Sequence, residues 1–223
     1  MRTPLIIVNF KSYKASFGER GIKLAGFCDA VSKEHGVSIV IAPQYTDLKE
    51  VKSRFDIPIF AQHIDPIEKA GAYTGHIIAE NLKEIGIAGS LINHSERRLK
   101  LEDVAECVEI LKSLKLVSVC CAVTLEEVER FAKFDPDFIA IEPPELIGGG
   151  ISVSASKPEA ITQCVGVVRK TNPKVKVLCG AGITTGQDVK RALELGAQGV
   201  LVASGIVKAA DPRKVLEELV RSI

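Results

Sequence analysis

Short apolar runs rich in β-branched residues alternate with amphipathic stretches from one end of the chain to the other. The apolar runs show little polar alternation, which is typical of parallel strands that are buried on both faces. The predicted strands are Leu5–Val8, Ser38–Ala42, Ile59–Ala61, Ser90–Asn93, Val117–Cys121, Phe138–Ile141, Val175–Cys179 and Gly199–Val202. An irregular connection from Gln62 to Gly75 follows the third strand.

Helix start signals lie in the gaps between these runs. Thr124 with Glu127, and Ser156 with Glu159, have the spacing of a capping box, and the second pair encloses a proline suited to a first turn. We expect Asp211, which precedes a proline, to cap the last helix. The gaps are therefore predicted to be helical.

A strict alternation of eight strands with helices fits two α/β architectures. One is a closed (β/α)8 TIM barrel, and the other is an open, doubly wound sheet. Eight units within 223 residues favour the barrel, although it is a small one. No linker or shift in composition divides the chain, so we expect one catalytic barrel domain over residues 1–223.

Composition narrows the classes of partner. Lys plus Arg number 29 against 28 Asp plus Glu, so a net charge of +1 provides no field for nucleic acid or an anionic membrane. No apolar run approaches the roughly 20 residues that span a bilayer, and the apolar start is too short for a signal peptide. The six cysteines lack CxxC or zinc-site spacing, which predicts buried thiols in a reducing cytoplasm and no metal.

Polar side chains follow several predicted strands at the point where each strand ends. Lys11, His94 and Glu142 come just after the first, fourth and sixth strands. The carboxyl ends of the strands meet at one mouth of a parallel barrel, where the active site lies. Each residue has an ordinary alternative, namely a surface lysine, a turn-capping histidine and a rim salt bridge. Their convergence favours function, and we expect Glu96 to support the site by an ion pair with Lys11 or Arg97.

Glycine-rich turns follow the sixth, seventh and eighth strands. Gly180-Ala-Gly182 and Ala203-Ser204-Gly205 lack bulky side chains, so their backbone N–H groups can approach a phosphate closely ahead of a helix. Gly148–Gly150 ends a loop that begins with two prolines directly after Glu142, which is typical of a lid with a stiff edge and a pliant hinge.

Four segments resemble the triosephosphate isomerase family, in family order. They are NFK at 9–11, GAYTG at 71–75, HSERR at 94–98 and AIEPPELIGGG at 140–150. The short length looks most like archaeal members, and Asn93 stands where many relatives have glycine. The resemblance implies a cofactor-free isomerase of a triose phosphate that forms a homo-oligomer, either a dimer or a tetramer, with the tetramer favoured.

The resemblance also implies a role for each matching residue. Glu142 is the base, and His94 is the electrophile, a neutral imidazole whose pKa is lowered by a helix N-terminus. Asn9 and Lys11 touch the substrate, and Glu96 completes the catalytic group of Lys11, His94, Glu142 and Glu96. Lid or phosphate contacts are expected from Ile147, Gly148, Gly180, Gly182, Ala203 and Ser204.

Other functions stay open on the residues alone. A phosphate-binding barrel could be a sugar-phosphate epimerase, although no metal-ligand cluster is visible in the sequence. It could also be an aldolase with Lys11 as the Schiff base, or a protein that binds a sugar phosphate without acting on it. Borohydride trapping with substrate would reveal the aldolase, and a coupled assay would reveal the isomerase.

Overall fold

The computed structural model describes residues 1–143 and 153–223. Within these ranges the chain forms eight parallel strands. They are β1 (Leu5–Asn9), β2 (Ser38–Ala42), β3 (Phe60–Ala61), β4 (Gly89–Ile92), β5 (Val117–Ala122), β6 (Phe138–Ile141), β7 (Lys176–Gly180) and β8 (Gly199–Val202). Every predicted strand is therefore present, and the ends differ from the prediction by one residue at most.

Helices occupy the gaps between the strands, as the start signals predicted. Those in the described ranges are α1 (Glu19–His35), α2 (Leu48–Arg54), α3 (Ala79–Glu84), α4 (Leu101–Ser113), α5 (Leu125–Ala132), α6 (Val153–Ser156), α7 (Pro158–Thr171), α8 (Gly186–Glu194), α9 (Ser204–Val207) and α10 (Pro212–Val220). None of these helices is long and apolar enough to cross a membrane.

The sheet closes on itself, so the barrel prediction is confirmed over the open sheet. The strands are bonded in the order β2-β1-β8-β7-β6-β5-β4-β3. Within residues 1–143, β2 meets the β3 region through one parallel bridge, Ile41 with Ile59, and the Ile41 N–H donates to the Pro58 carbonyl at 3.1 Å. This short seam completes the ring.

Two apolar layers surround the strands. Side chains such as Leu5, Ile7 and Cys121 fill the interior of the barrel, while Ile6, Val8 and Cys120 pack outward against the helices. Alternate residues of one strand face opposite layers, which is why the strands read as continuous apolar runs. All six cysteines of the chain are buried and unpaired, as predicted.

Two of the predicted helix caps are confirmed and one is wrong. The side chains of Thr124 and Asp211 accept backbone N–H bonds at the starts of α5 and α10. Ser156 does not cap α7, because it is the last residue of the short helix α6, and Lys157 takes the N-cap position. The sequence analysis missed the capping box at the start of α8, which pairs Thr185 with Asp188.

Candidate active site

Lys11, His94 and Glu142 meet at one mouth of the barrel. All three line a single cavity at the carboxyl ends of the strands. Asn9, at the end of β1, lines the same cavity. The structure therefore brings together residues that lie far apart in sequence, because parallel strands deliver their carboxyl ends to one rim.

Glu142 and His94 face each other inside this mouth. Glu142 follows β6 and is fixed by its backbone N–H, which donates to the Ala122 carbonyl at 2.9 Å. Both side chains are buried, and Glu142 Oε2 lies 3.7 Å from His94 Nε2. Among the described residues, no hydrogen-bond partner reaches Glu142 Oε2. A buried carboxylate oxygen left in this way is costly unless a ligand completes its bonding.

The histidine ring is oriented by its own loop. The backbone N–H of Glu96 donates to His94 Nδ1 at 3.1 Å, so in the neutral ring the proton sits on Nε2, toward Glu142. Burial, together with the charge of Lys11, lowers the pKa of His94, although Glu142 and Glu96 act in the opposite direction. The next helix along the chain, α4, begins only at Leu101, and a turn in which the Arg97 N–H donates to the His94 carbonyl follows the histidine directly.

Lys11 reaches the cavity from the loop after β1. Its ammonium lies 3.6 Å from Glu96 Oε1, so Lys11 is the partner that Glu96 takes of the two considered. Arg97 instead lies 3.5 Å from Asp65. Glu96 is two-thirds exposed, so water weakens its pair with Lys11 and the pair adds little stability.

The two turns after β7 and β8 also line the cavity. Gly182, Ala203 and Ser204 line it, and Ser204 opens the short helix α9. Gly180 is placed differently, because it lies in β7 against the side chain of Glu142 rather than on the cavity wall. Ile147 and Gly148, with the rest of the expected lid, lie outside the described residues.

Comparisons with known proteins agree along the whole chain. The family model described as triosephosphate isomerase matches residues 4–222. The chain is 51% identical to a triosephosphate isomerase of Methanothermus fervidus over 99% of both chains. This chain belongs to the triosephosphate isomerase family. It is also 47% identical, over the full length of both chains, to a triosephosphate isomerase of Methanosarcina acetivorans.

Because it belongs to the triosephosphate isomerase family, the chain is an isomerase that acts on a triose phosphate. This isomerisation is a step of glycolysis. The resemblance of the NFK, GAYTG, HSERR and AIEPPELIGGG segments is thereby confirmed as a family resemblance. Relatives in Methanothermus and Methanosarcina agree with the expected similarity to archaeal members.

Asn93 departs from the glycine that the sequence resemblance leads us to expect at this position, and its backbone explains why asparagine is tolerated there. Its φ of 60° lies in the left-handed region, which asparagine tolerates better than most residues. Its side chain donates to the Cys121 carbonyl at 3.0 Å and accepts from the Leu99 N–H at 2.9 Å. Asn93 therefore ties the loop that carries His94 to the end of β5.

Sequence reasoning missed several residues at this mouth of the barrel. Tyr13 and Ile183 line the cavity. The Lys208 ammonium lies over the Tyr13 ring, 4.6 Å from its centre. Gln44 and Gln62 bond to the backbone of Lys11. These two glutamines follow the ends of β2 and β3, so the rule that pointed to Lys11 could have found them.

Proposed function

We propose that the chain interconverts dihydroxyacetone phosphate and D-glyceraldehyde 3-phosphate with Glu142 as the base and His94 as the electrophile. One observation carries these roles. Glu142 Oε2 is buried without a hydrogen-bond partner among the described residues, 3.7 Å from His94 Nε2. A substrate in this mouth would offer its acidic C–H to Glu142 and its carbonyl oxygen to His94 Nε2, which would complete the bonding of both side chains.

The proton transfer balances without a cofactor. Glu142 removes a proton from the carbon beside the carbonyl, the C–H electrons form a C=C bond, and the carbonyl oxygen takes the negative charge of an enediolate. The hydroxyl proton then moves from the oxygen of the first carbon to the oxygen of the second. Glu142 returns its proton to the second carbon, and the first oxygen becomes the new carbonyl, which gives the isomer. No electron enters or leaves the site, and the carboxylate is regenerated in each turnover.

His94 stabilises the enediolate as a neutral donor in this proposal. Its Nδ1 accepts the Glu96 N–H, so Nε2 carries the proton that a substrate oxygen would accept. The lowered pKa of His94 keeps the ring uncharged, and a fixed neutral donor in a dry site stabilises developing negative charge effectively.

The remaining residues bind and orient the substrate. The ammonium of Lys11 supplies positive charge, and Asn9 lines the same cavity. We assign the phosphate to the turns that contain Gly182, Ala203 and Ser204, because they line the cavity and their small side chains would let an anion approach the backbone N–H groups. We also propose lid contacts from Ile147 and Gly148, a supporting role for Glu96 and an indirect role for Gly180.

Substitution of Glu142 tests the base. Glu142→Gln keeps the shape but cannot accept a proton, so kcat should fall by a factor of about 10² to 10⁴. Glu142→Asp should keep the fold and also lower kcat sharply, because the carboxylate retreats by one methylene. A coupled assay with triose phosphate measures both variants.

The matched control is Glu84→Gln, which removes an exposed carboxylate at the end of α3. Its kcat should equal that of the unchanged chain, and a phosphoglycolate-type inhibitor should block both. Normal turnover in Glu142→Gln would remove Glu142 from the chemistry.

The assembly and location of the chain are also part of the proposal. Residues 68–76 are exposed, and Tyr73 at their centre is 52% exposed, which supports association through this loop. We propose a homotetramer of single-domain subunits, each covering residues 1–223, that works in the cytoplasm, where six free thiols are stable. Light scattering should give four times the chain mass of 24.0 kDa, and a monomer would contradict it.

A further inference from the structure

The backbone of Lys11 has a conformation that lysine rarely adopts. Its φ is 48°, in the left-handed region, where the Cβ crowds the backbone and only glycine, asparagine and aspartate are common. Such a residue persists only when its surroundings hold it there. Neighbouring groups must therefore hold Lys11 in this conformation, with its ammonium at the cavity.

Three side-chain amides saturate the backbone of Lys11. The Lys11 N–H donates to Asn9 Oδ1 at 3.0 Å. The Lys11 carbonyl accepts from Gln62 Nε2 at 3.1 Å and also from Gln44 Nε2. A carbonyl oxygen has two lone pairs, so the two glutamines fill its capacity.

Gln44 makes a further bond that extends its hold to the next residue. The same Nε2 donates to Ser12 Oγ at 2.6 Å. Gln44 has an extended backbone and stands between the end of β2 and the short 3-10 turn Tyr45–Asp47, so its own position is fixed by regular structure on both sides. One amide from the β2 loop thus fastens two consecutive residues of the β1 loop.

We infer that Gln44 is a positioning residue for Lys11, which it holds in the left-handed conformation that aims the ammonium into the substrate cavity. Gln44 itself does not line the cavity of Lys11, His94 and Glu142, so it acts through Lys11 and not on the substrate. The inference rests on the proposed role of Lys11 in substrate binding.

Two substitutions remove the hold in different ways. Gln44→Ala deletes the donor and should lower kcat/KM about tenfold, the scale of one lost hydrogen bond, mainly through a higher KM. Gln44→Glu keeps the size but turns an acceptor toward the Lys11 carbonyl and adds a charge that competes for the ammonium. It should lower kcat/KM by about a hundredfold.

A double-mutant cycle separates positioning from general support of the fold. In a Lys11→Ala background there is no ammonium to aim, so Gln44→Ala should change kcat/KM by less than about twofold. A merely structural glutamine would cost the same factor in both backgrounds. Gln198→Ala is the matched control, because Gln198 makes two amide bonds at the opposite end of the barrel, to Val177 and Gly196.

The outcomes distinguish this inference from the function on which it rests. If Lys11→Ala alone left kcat/KM unchanged, the role of Lys11 would fail. If Lys11→Ala were impaired but Gln44→Ala and Gln44→Glu kept normal kcat/KM, or if Gln44→Ala lost the same factor in both backgrounds, the positioning role of Gln44 would be wrong. Melting curves show whether each variant is folded, and activity lost only in proportion to unfolded protein would equally overturn it.

Discussion

Gly180 lies against Glu142, the proposed base, and any other residue at this position would place a Cβ atom against that side chain. A Cβ built on Gly180 would lie 2.6 Å from Glu142 Cγ and 3.2 Å from its Oε1. Sequence reasoning assigned this glycine to the phosphate turn, yet the contact shows a different need for it. The side chain of Glu142, from Cγ to the carboxylate, occupies the volume that Gly180 leaves empty.

We therefore expect Gly180→Ala to displace the Glu142 carboxylate and to lower kcat about 10- to 100-fold, because small misplacements of a catalytic group are expensive. KM should change less, since the substrate-binding turns are not displaced directly. Steady-state kinetics in the coupled assay measure the split.

Gly166→Ala is the control for this glycine. A Cβ at Gly166, within α7, meets nothing within 4 Å. That substitution should leave kcat unchanged and raise the free energy of unfolding by about 0.5–1 kcal/mol, through helix propensity. Equal kcat in Gly180→Ala and Gly166→Ala would refute the steric argument.

At the scale of the element, strands were easier to predict than the helix starts and the contacts of the loops. Burial on both faces leaves a strong signal in an apolar run, which explains why every strand was found. The predicted end of β4 was one residue too long, because Asn93 takes a left-handed φ that stops the strand. Ser156 has the local sequence pattern of a helix cap, but it is the last residue of α6 and so does not take the N-cap position of α7.

The strand-end rule could have picked out the two glutamines at Lys11 as candidates, but it could not have identified the atom that they bind. Gln44 and Gln62 are 33 and 51 residues distant from the carbonyl that they bind. A glutamine after a strand is usually a solvated side chain, and only the closed ring brings these two amides to one oxygen. Lys11, His94 and Glu142 were predictable because each follows a strand and matches a family motif.

Removal of the Thr185 hydroxyl should show how much the capping box of α8 contributes to the stability of the fold. Thr185 Oγ1 accepts from the Asp188 N–H at 3.3 Å, and Asp188 Oδ2 accepts from the Thr185 N–H at 2.9 Å. Thr185→Ala should lower the free energy of unfolding by about 1 kcal/mol in urea titrations. Thr162→Ala, at an exposed position inside α7, should be neutral or slightly stabilising. Equal effects at the two positions would contradict the capping argument.

At the scale of the whole molecule, buried histidines link stability to pH. Burial is the main cause that lowers the pKa of both His63 and His94 in the folded chain. In the unfolded chain both should titrate near the ordinary value of about 6.5. Below that pH the unfolded state therefore binds more protons than the folded state, and the free energy of unfolding falls as the pH falls toward the lowered values.

We expect each histidine to steepen this fall by at most about 1.4 kcal/mol per pH unit. Urea unfolding at pH 7.5 and pH 5.5 measures the difference for the unchanged chain and for His63→Gln, which should lose less stability on acidification. His35→Gln, at an exposed position on α1, should keep the full difference. An unchanged difference in His63→Gln would mean that His63 does not contribute.

The join between β2 and β3 has a consequence for how this barrel can change over evolution. Across that join Gln62 Nε2 donates to the Ala42 carbonyl at 3.0 Å, while the same atom reaches Lys11. A side-chain hydrogen bond thus helps to join β2 to β3, whereas longer runs of backbone hydrogen bonds join the other neighbouring strands. A substitution of Gln62 would therefore affect two properties at once. It would weaken the closure of the barrel between β2 and β3, and it would also disturb the backbone of Lys11.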